Sequence, residues 1–245
     1  MTPVSAVIIT YNEARNIGRC LESLRAVADD IVVLDSFSTD ATEAICAEYG
    51  VRFVQHAFDG HIEQKNRAIT LAKYDWVLSL DADEALSDAL RDSILACKAH
   101  IAADGYSMNR LTNYCGQWIR HSGWYPDRKL RLFDRRKAQW GGRNPHDKIV
   151  MEEEVKVLHL KGDLLHYSYY TVDEHRERSL KYAHISSRAM LAEGKKFNYL
   201  HLLVRPLAKF IKMYVLKAGF LDGRAGFTIA WITTVETWRR YYLLK

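Results

Sequence analysis

Short apolar runs alternate with amphipathic segments along the first half of the chain. The apolar runs contain no proline or glycine and are rich in branched and aromatic side chains, which predicts buried strands. They occupy residues 4–10, 31–34, 51–54 and 74–80. Helical spacing between and after them predicts helices at residues 16–27, 41–49, 61–72 and 87–102. This alternation predicts an α/β fold with a mostly parallel sheet and helices on both faces.

The pattern changes in the second half, where apolar and polar residues alternate and aromatic residues are frequent. Alternation predicts further strands, which we place at residues 106–119, 129–133, 156–160 and 163–167. Residues 172–193 open with acidic residues and have helical spacing, which predicts a long helix that ends at Gly194. Because no proline-rich linker is present, we expect one domain over residues 1–194 and a helical tail over residues 195–245.

Polar residues follow three of the predicted strands at the point where each strand ends. In a parallel sheet these ends lie on one edge, where open α/β folds bind their ligands. The third end carries two carboxylates, which repel one another unless a cation or a shared proton offsets the charge. Mg²⁺ and Mn²⁺ prefer such oxygen ligands. The three groups are Thr10-Tyr11-Asn12-Glu13, Asp35-Ser36 and Asp81-Ala82-Asp83.

The alternative for the third group is a solvated acidic turn before a helix. An isolated Asp-x-Asp is short and common, and in that interpretation Asp83 or Ser87 is only the helix cap. The two other polar strand ends favour the ligand site, because three groups on one sheet edge converge on a single position.

Missing motifs exclude several classes of protein. No G-x-G-x-x-G follows the first strand, which argues against a dinucleotide oxidoreductase, and no G-x-x-x-x-G-K-[ST] is present, which excludes a P-loop enzyme. The four cysteines lie far apart without a C-x-x-C pair, so we expect reduced thiols of a cytosolic protein. Because no apolar stretch reaches about 18 residues and the N-terminus lacks signal-peptide features, we expect no transmembrane helix.

The net charge of the 245-residue chain is +5 and is unevenly spread. From Lys195 onward there are ten basic residues, against only Asp222 and Glu236. The remainder of the chain is therefore slightly acidic. A basic tail on such a body suggests an anionic surface or an anionic substrate.

Three motifs in the first half resemble a known family when they are taken in order. The motifs are similar to those of the inverting family 2 glycosyltransferases of the GT-A fold. In this chain they are Val7-Ile8-Ile9-Thr10-Tyr11-Asn12-Glu13, Val32-Val33-Leu34-Asp35-Ser36 with Thr39-Asp40-Ala41-Thr42, and Asp81-Ala82-Asp83-Glu84. The resemblance implies a Rossmann-like sheet with a nucleotide-sugar-binding half at residues 1–103. It implies an acceptor-binding half at residues 104–194.

Longer motifs in the second half carry a narrower resemblance. Four segments are similar to segments of the bacterial lipopolysaccharide core β-glucosyltransferases. They are residues 118–127 (W-I-R-H-S-G-W-Y-P-D), 129–133 (K-L-R-L-F), 140–148 (W-G-G-R-N-P-H-D-K) and 219–227 (G-F-L-D-G-R-A-G-F). Together with the first-half motifs, they extend the resemblance over nearly the whole chain.

The resemblance implies a UDP-sugar donor that is bound together with Mg²⁺ or Mn²⁺. Asp35 would accept a hydrogen bond from a uracil N–H, and Lys65 and Arg67 would face the phosphates, unless they belong to a solvated helix face. The metal would be held by Asp81 and Asp83. His166 and His146 are candidates for the third metal ligand or for a phosphate ligand, although each is alternatively a packed, hydrogen-bonded residue. The donor-binding residues implied are Thr10, Tyr11, Asn12, Glu13, Asp35, Lys65, Asn66, Arg67, Asp81, Ala82 and Asp83.

An inverting transfer also needs a base that deprotonates the acceptor hydroxyl. The resemblance implies Asp147 for that role, although relatives commonly have His-Glu where this chain has His146-Asp147. Asp127 is the rival, and it alternatively pairs with Arg128 or Arg131 or binds the acceptor sugar. Acceptor-binding residues are expected to be Trp124, Tyr125, Arg131 and Trp140, of which each aromatic residue is alternatively part of a core.

The tail contains one further pattern. Apolar residues recur at helical spacing and predict a single apolar stripe, formed by Leu207, Phe210, Ile211, Tyr214, Val215 and Ala218. Lys209, Lys212 and Lys217 border or oppose it. Such a helix lies in a membrane interface with its lysines toward anionic lipids, or packs on the catalytic domain with its lysines in water.

The expected function is the transfer of a hexose, with glucose from UDP-glucose as the expected donor, to the inner core of lipopolysaccharide or a related lipid-linked glycan. We expect a cytoplasmic protein that is peripheral on the inner face of the cytoplasmic membrane. One alternative is a family 2 enzyme with another donor or a surface-polysaccharide acceptor, and another is a nucleotide-sugar-binding protein without turnover. A nucleic-acid-binding module has only the basic tail in its favour.

Overall fold

A computed structural model describes residues 1–143 and 146–245 of the chain. Within these residues the chain forms two compact units. The first unit comprises Met1–Arg110 and Asp127–His166, and the second comprises Leu111–Pro126 and Tyr167–Lys245. The second unit thus combines the helical tail with the long helix before it. The assignment of residues 1–103 to the donor and 104–194 to the acceptor stays a prediction.

Strands and helices alternate through the first hundred residues, as the apolar pattern predicts. They are β1 (Val4–Thr10), α1 (Ile17–Leu24), β2 (Asp30–Asp35), α2 (Thr42–Glu48), β3 (Arg52–Gln55), α3 (His61–Thr70), β4 (Trp76–Asp81), β5 (Glu84–Leu86) and α4 (Asp88–Ala99). The N-cap of α4 is Ser87, whose hydroxyl accepts a hydrogen bond from the backbone N–H of Leu90.

The second half contributes the remaining strands. They are β6 (Gly105–Tyr114), β7 (Gln117–Ile119), β8 (Asp127–Asp134), β9 (Ala138–Arg143), β10 (His146–Met151) and β11 (Val157–Tyr169). The single strand β11 replaces the two strands predicted at 156–160 and 163–167, so the gap left between them at residues 161–162 is wrong. Gly162 instead permits a close approach, because a Cβ there would lie 2.3 Å from the backbone nitrogen of Leu90.

The large sheet has the strand order β3-β2-β1-β4-β8-β6-β11-β5. The strands β3, β2, β1 and β4 are parallel, whereas β8 joins β4 in antiparallel orientation and β6 joins β8 in the same way. In register, Thr10 lies opposite Asp35, and Ile9 lies opposite Asp81. The three polar strand ends therefore meet at one edge, as predicted.

Two apolar cores cover the two faces of the parallel strands. One core joins the strands to α1, α2 and α4, and the other joins them to α3 and to β9 and β10. Alternate residues of β1 enter different cores, with Ile8 in the first and Val7 in the second. Helices thus cover both faces of the sheet, which confirms the predicted α/β class.

The second unit is mostly helical. Its elements are α5 (Val172–Ala192), α6 (Tyr199–Phe210), a π-helical segment (Ile211–Leu216), a 3₁₀ turn (Gly219–Asp222) and α7 (Gly223–Tyr242). The predicted long helix is confirmed as α5, which begins with a capping box between Thr171 and Glu174. In the described part of the chain, no helix is both long enough and apolar enough to cross a bilayer.

The predicted apolar stripe of the tail divides between two environments. Phe210 and Tyr214 are half-buried, and both rings contact the ring of Phe227. Leu207, Ile211 and Val215 are exposed. The prediction of one regular stripe is wrong because the chain widens into a π-helix at Ile211, which changes the angle between successive side chains.

Candidate active site

The loops after β1 and β2 are tied together at the sheet edge. The buried carboxylate of Asp35 accepts hydrogen bonds from the Thr10 hydroxyl (2.8 Å) and the backbone N–H of Ser38 (2.8 Å). Asn12 has a positive φ of 54° and donates its backbone N–H to the Ser38 hydroxyl at 2.7 Å. Both Asp35 oxygens thus hold the loops in place, and a contact with a nucleobase stays a prediction.

Hydrogen bonds also hold polar side chains of the same loops in place. The Asn12 amide oxygen accepts the backbone N–H of Thr39 at 2.8 Å, and the Glu13 carboxylate accepts from the Asn16 amide at 2.7 Å. Tyr11 is exposed at the edge. The Tyr11 side chain, which is 60% exposed, is therefore open to a ligand.

The first aspartate of the acidic strand end lies between two cations. The Asp81 carboxylate is 2.9 Å from the Lys65 ammonium and 3.0 Å from the Arg131 guanidinium. Arg131 also donates to the buried Glu84 carboxylate at 2.7 Å, and Glu84 in turn accepts the backbone N–H of Asp81 at 3.1 Å. Ala82, between the two aspartates, is buried in the first core.

These contacts shift the pKa values of the charged groups. Burial by itself would raise the pKa of the Asp81 carboxyl, but the Lys65 and Arg131 cations more than offset it and hold the pKa well below its usual value. Burial would likewise lower the pKa of Arg131, but Glu84 and Asp81 raise it above the usual value. Asp81 is therefore ionised, and its oxygens already have cationic partners.

The second aspartate has a different partner. The Asp83 carboxylate lies 3.3 Å from Nε2 of His166, a residue of β11 that is opposite Glu84 in the pairing with β5. Both side chains are partly exposed. The carboxylate oxygen is the ligand type that Mg²⁺ and Mn²⁺ prefer, whereas an imidazole nitrogen is more typical of softer divalent metals. Among the residues that the structure describes, no third His, Cys, Asp or Glu completes the group.

Lys65 joins the predicted metal end of the site to the predicted base. Its ammonium group lies 2.8 Å from the Asp147 carboxylate in addition to its contact with Asp81. It also sits 4.1 Å from the centre of the Trp140 ring. Lys65 is buried on α3. The motif around Asp147 begins at Asn144 and Pro145, which lie outside the described residues, as does the side chain of His146.

The neighbours of Lys65 on α3 face other groups. The Asn66 amide exchanges two 2.9 Å hydrogen bonds with the backbone of Trp140. Arg67 is exposed and pairs with Asp59 at 3.0 Å. Residues two apart on a helix point in different directions, so Lys65 and Arg67 do not share a site. This geometry favours the solvated-face alternative for Arg67.

Trp140 and Arg131, predicted to bind acceptor, are both buried. The Trp140 indole donates to the Ser79 hydroxyl at 3.2 Å, and its ring is covered by Lys65 and by Arg131, whose guanidinium is 5.2 Å from the ring centre. The geometry favours the core alternative for Trp140. The same geometry makes Arg131 an ion-pair partner of Asp81 and Glu84.

Asp127 has partners other than those predicted. Its carboxylate pairs with Arg110 at 2.8 Å and with Lys129 at 3.1 Å. The alternative that paired Asp127 with a basic residue is thus met, but by Arg110 and Lys129 in place of Arg128 or Arg131. Because residues on one strand alternate between its faces, Asp127 and Lys129 share a face and Arg128 lies on the other.

A cavity of about 580 Å³ in the first unit contains both Asp81 and Asp147. Six basic residues line it against two acidic ones, and Asp127 is absent from its wall. Such a balance favours an anionic ligand. The lining residues are Lys65, Asp81, Arg110, Arg128, Lys129, Leu130, Arg131, Trp140, Asp147, Lys148 and Ile149.

Comparison with known proteins assigns the chain to a family. Residues 5–151, which include the polar strand ends and Asp147, match the model of glycosyl transferase family 2. The chain belongs to glycosyl transferase family 2. The lipopolysaccharide core biosynthesis glycosyltransferase LpsC of Rhizobium meliloti is 30% identical over 257 residues, which cover 98% of this chain and 94% of LpsC. An uncharacterized glycosyltransferase of Rickettsia typhi, RT0209, is 28% identical over 93% of this chain and 81% of its own.

One solved structure that is similar to part of the chain is glucosyl-3-phosphoglycerate synthase of Mycobacterium tuberculosis in complex with Mn²⁺, uridine diphosphate and glucosyl-3-phosphoglycerate. It is 21% identical, with a TM-score of 0.39 over 46% of this chain and 44% of the synthase. This family 2 glycosyltransferase has a sheet of parallel and antiparallel strands with helices on both faces. Together with the family match, this architecture confirms the predicted GT-A class.

Two predicted acceptor residues of this glycosyltransferase lie in the second unit. Trp124 packs edge-on against Tyr114 and beside His175, and the Arg120 guanidinium lies 5.6 Å from the centre of the Tyr125 ring. Burial lowers the pKa of His175 to about 4, so this histidine is neutral near pH 7. An acceptor role for Trp124 and Tyr125 stays a prediction.

Several site residues of the glycosyltransferase were missed by sequence reasoning. Arg110 and Lys129 line the cavity, and Glu84 orders Asp81 and Arg131. Glu84 directly follows the acidic pair, and its position at a strand end was a usable signal. Arg110 gave none, because it reaches the cavity through the antiparallel pairing of β6 with β8, where it lies opposite Asp127.

Proposed function

We propose that the chain is an inverting, metal-dependent hexosyltransferase that uses a UDP-sugar, with glucose as the expected sugar. The acceptor is the inner core of lipopolysaccharide or a related lipid-linked glycan. The observation that carries the proposal is the Lys65 bridge, which joins Asp81 and Asp147 in one basic cavity. Similarity to LpsC along nearly the whole chain supports the acceptor class.

The cavity charge supports an anionic donor. A UDP-sugar carries two negative charges on its diphosphate, and the surplus of basic residues around Asp81 complements them. Lys65 and Arg131 are the cations nearest to the acidic strand end. They would orient the diphosphate there, as the resemblance implies for Lys65.

The donor pair of Asp83 and His166 supports metal dependence. These residues would hold Mg²⁺ or Mn²⁺, and the bound ion would neutralise the charge that develops on the UDP leaving group. Asp81 would contact the donor through Lys65 and Arg131, because both of its oxygens are already paired with them.

Asp147 is the proposed base. It would accept the proton of the acceptor hydroxyl as that oxygen attacks the anomeric carbon from the side opposite UDP. Its carboxylate lines the cavity and is ion-paired with Lys65. Asp127 is the weaker candidate because Arg110 and Lys129 pair with it and its side chain is not part of the cavity wall.

We propose in addition that the protein is cytoplasmic and binds the inner face of the cytoplasmic membrane peripherally. The segment from Lys195 onward has ten basic residues and two acidic ones. The exposed apolar side chains Leu207, Ile211 and Val215 lie among these cations. Such a combination is typical of helices that bind anionic bilayer surfaces.

A donor screen tests the proposal. The purified protein is incubated with UDP-, GDP- and dTDP-sugars and Mg²⁺ or Mn²⁺, and hydrolysis and transfer to deacylated lipopolysaccharide core are followed by mass spectrometry. We expect turnover with a UDP-hexose and its loss in Asp83→Ala and Asp147→Ala, with Asp173→Ala, an exposed carboxylate on α5, as the matched control.

Two outcomes would contradict the proposal. Binding of a UDP-sugar without hydrolysis or transfer under any condition would favour the non-catalytic sugar-nucleotide-binding protein. Turnover of a different nucleotide sugar would favour a family 2 enzyme with another donor. Circular dichroism of each variant separates a lost activity from a lost fold.

A further inference from the structure

The 3₁₀ turn of the second unit exposes adjacent apolar side chains. Phe220 is 51% exposed and Leu221 is 62% exposed, and Leu216, just before the turn, is 74% exposed. The turn directly follows the π-helical segment at the end of α6. The exposed apolar positions of α6 therefore continue into this turn. Isolated exposed apolar residues are common, but a contiguous set marks an interaction surface.

A buried carboxylate at the end of the turn holds the turn in place. Asp222 is 4% exposed and accepts hydrogen bonds from the backbone N–H of Arg120 (3.2 Å) and of His121 (2.9 Å). Nδ1 of His121 lies 3.0 Å from the same carboxylate. The orientation of Phe220 and Leu221 is thus set by a charged hydrogen-bond network beside them.

Close backbone packing holds the turn as well. A Cβ on Gly226, in the first turns of α7, would lie 1.9 Å from the carbonyl oxygen of Gly219. The two backbones approach this closely only because residue 226 is glycine. The start of the turn therefore packs tightly against α7, and this packing restricts the movement of the exposed apolar residues.

The charges around the turn are of one sign. Lys217 and Arg224 flank it, and both are exposed without an ion-pair partner in the part of the chain that the structure describes. The two carboxylates of residues 195–245 are withdrawn from solvent: Asp222 serves the network just described, and Glu236 is half-buried beside Ser179. Burial accordingly raises the pKa of Glu236.

We propose that Phe220 and Leu221 insert into the apolar layer of an anionic lipid bilayer, with Lys217 and Arg224 at the level of the headgroups. The proposal rests on the membrane association proposed above and identifies a second contact besides α6. An apolar tip with flanking cations and no exposed carboxylate within its segment complements an anionic bilayer. The restricted movement lowers the entropic cost of insertion.

A site-specific fluorescent label tests the insertion. Cys115 is the exposed cysteine of the described chain and is replaced by serine, after which Phe220→Cys is labelled with the environment-sensitive dye NBD. Ile185→Cys is the matched control, because Ile185 on α5 is also 51% exposed in the same unit. The full-length proteins are mixed with phosphatidylcholine vesicles that do or do not contain phosphatidylglycerol.

We expect the NBD emission at position 220 to increase and shift to the blue with anionic vesicles, and to be quenched by lipid-attached doxyl groups. The label at position 185 should remain in water. The unlabelled double variant Phe220→Ser/Leu221→Ser should bind anionic vesicles roughly tenfold or more weakly than the wild type in a flotation assay, while donor hydrolysis in solution is unchanged.

Other outcomes overturn the inference in distinguishable ways. If the wild type floats with vesicles but position 220 stays in water, the membrane contact lies elsewhere and the proposed peripheral attachment survives. If the wild type does not float, both the insertion and the attachment are wrong. If the label shifts without vesicles and with rising protein concentration, the turn binds a second copy of the chain instead of lipid.

Discussion

The Lys65 ammonium lies 2.8 Å from the Asp147 carboxylate and 2.9 Å from that of Asp81. One buried cation thereby bridges two carboxylates from distant parts of the sequence. Without it, Asp147 would lose this cation and Asp81 would keep only Arg131 as a partner, which is unfavourable in a poorly solvated cavity wall. Lys65 is therefore the residue on which the geometry of the proposed donor and base sites depends.

We expect Lys65→Met to lower kcat of sugar transfer by about 100-fold or more and to raise the donor KM, because it removes a cation from the diphosphate site and from the base. Lys65→Arg should retain more activity, since it keeps the charge. Steady-state kinetics and calorimetric binding of UDP provide the measurement. Wild-type transfer by Lys65→Met would contradict the role, and Lys73→Met, a lysine outside the cavity, is the control.

The Glu84 carboxylate should matter for stability. It is almost fully buried and accepts from Arg131 at 2.7 Å and from the backbone of Asp81. Removing Glu84 leaves the buried Arg131 cation with Asp81 as its remaining carboxylate partner. Glu84→Leu should therefore lower the free energy of unfolding by about 3 kcal/mol. Urea denaturation measures the change. The exposed Asp88→Leu should change it little, and equal effects of both substitutions would argue against the network.

His175 should make stability depend on pH. Burial, helped by Arg178, lowers its folded-state pKa to about 4, whereas the unfolded value is about 6.5. Between these values the unfolded chain binds a proton that the folded chain does not, so stability falls as pH falls from about 6.5 to 4. The loss reaches about 3 kcal/mol at pH 4, and no loss from this group is expected above pH 7.

Unfolding curves at pH 7 and pH 4.5 measure the effect. The difference between the two pH values should be smaller in His175→Gln than in the wild type. His184→Gln, a substitution of an exposed histidine on the same helix, should leave the difference unchanged. An identical pH dependence in His175→Gln and the wild type would show that another group is responsible.

Gly226 should tolerate no side chain. In Gly226→Ala the new Cβ would meet the carbonyl oxygen of Gly219 at 1.9 Å, so the backbone must shift. We expect a loss of about 1 to 3 kcal/mol, or more, in the free energy of unfolding. Gly18→Ala on α1 is the control, because its Cβ would meet no atom closer than 3.6 Å and alanine favours a helix. Thermal denaturation of both variants measures the loss, and equal stability of Gly226→Ala and Gly18→Ala would contradict the prediction.

Metal binding can be measured apart from catalysis. Mn²⁺ binding is followed by electron paramagnetic resonance with UDP present. Loss of an outer-sphere partner of a metal ligand weakens metal binding by roughly 10- to 100-fold, and we expect Asp83→Asn and His166→Ala to weaken Mn²⁺ binding by more than that. His159→Ala is the control, since this histidine of β11 pairs with Ser107 instead. Unchanged Mn²⁺ affinity in both site variants would exclude the Asp83–His166 pair as the metal ligands.

Local patterns determined much of the fold. The strand-and-helix alternation, the end of β4 at Asp81 and the capping of α5 follow from residues that are close in sequence. Parallel pairing then brings the strand ends to one edge by a general rule. For these features, apolar runs and capping residues were sufficient evidence.

Partner choice needed the tertiary structure. Lys65 and Asp147 are 82 residues apart, and the pairing of Arg110 with Asp127 depends on the register between β6 and β8. Lys65 and Arg67 looked equivalent in sequence, yet α3 turns one into the cavity and the other toward Asp59. Ion pairs act through space, so spacing along the chain does not select among several candidate partners.

The sequence by itself determined the family motifs, the acidic strand end and the basic, apolar character of the tail. Only the tertiary structure decided that Asp81 is held by cations while Asp83 faces His166, and that the tail stripe is divided by a π-helix. The physical reason is the range of the interactions. Propensity and periodicity are local, whereas charge pairing and burial depend on which distant segments the fold brings together.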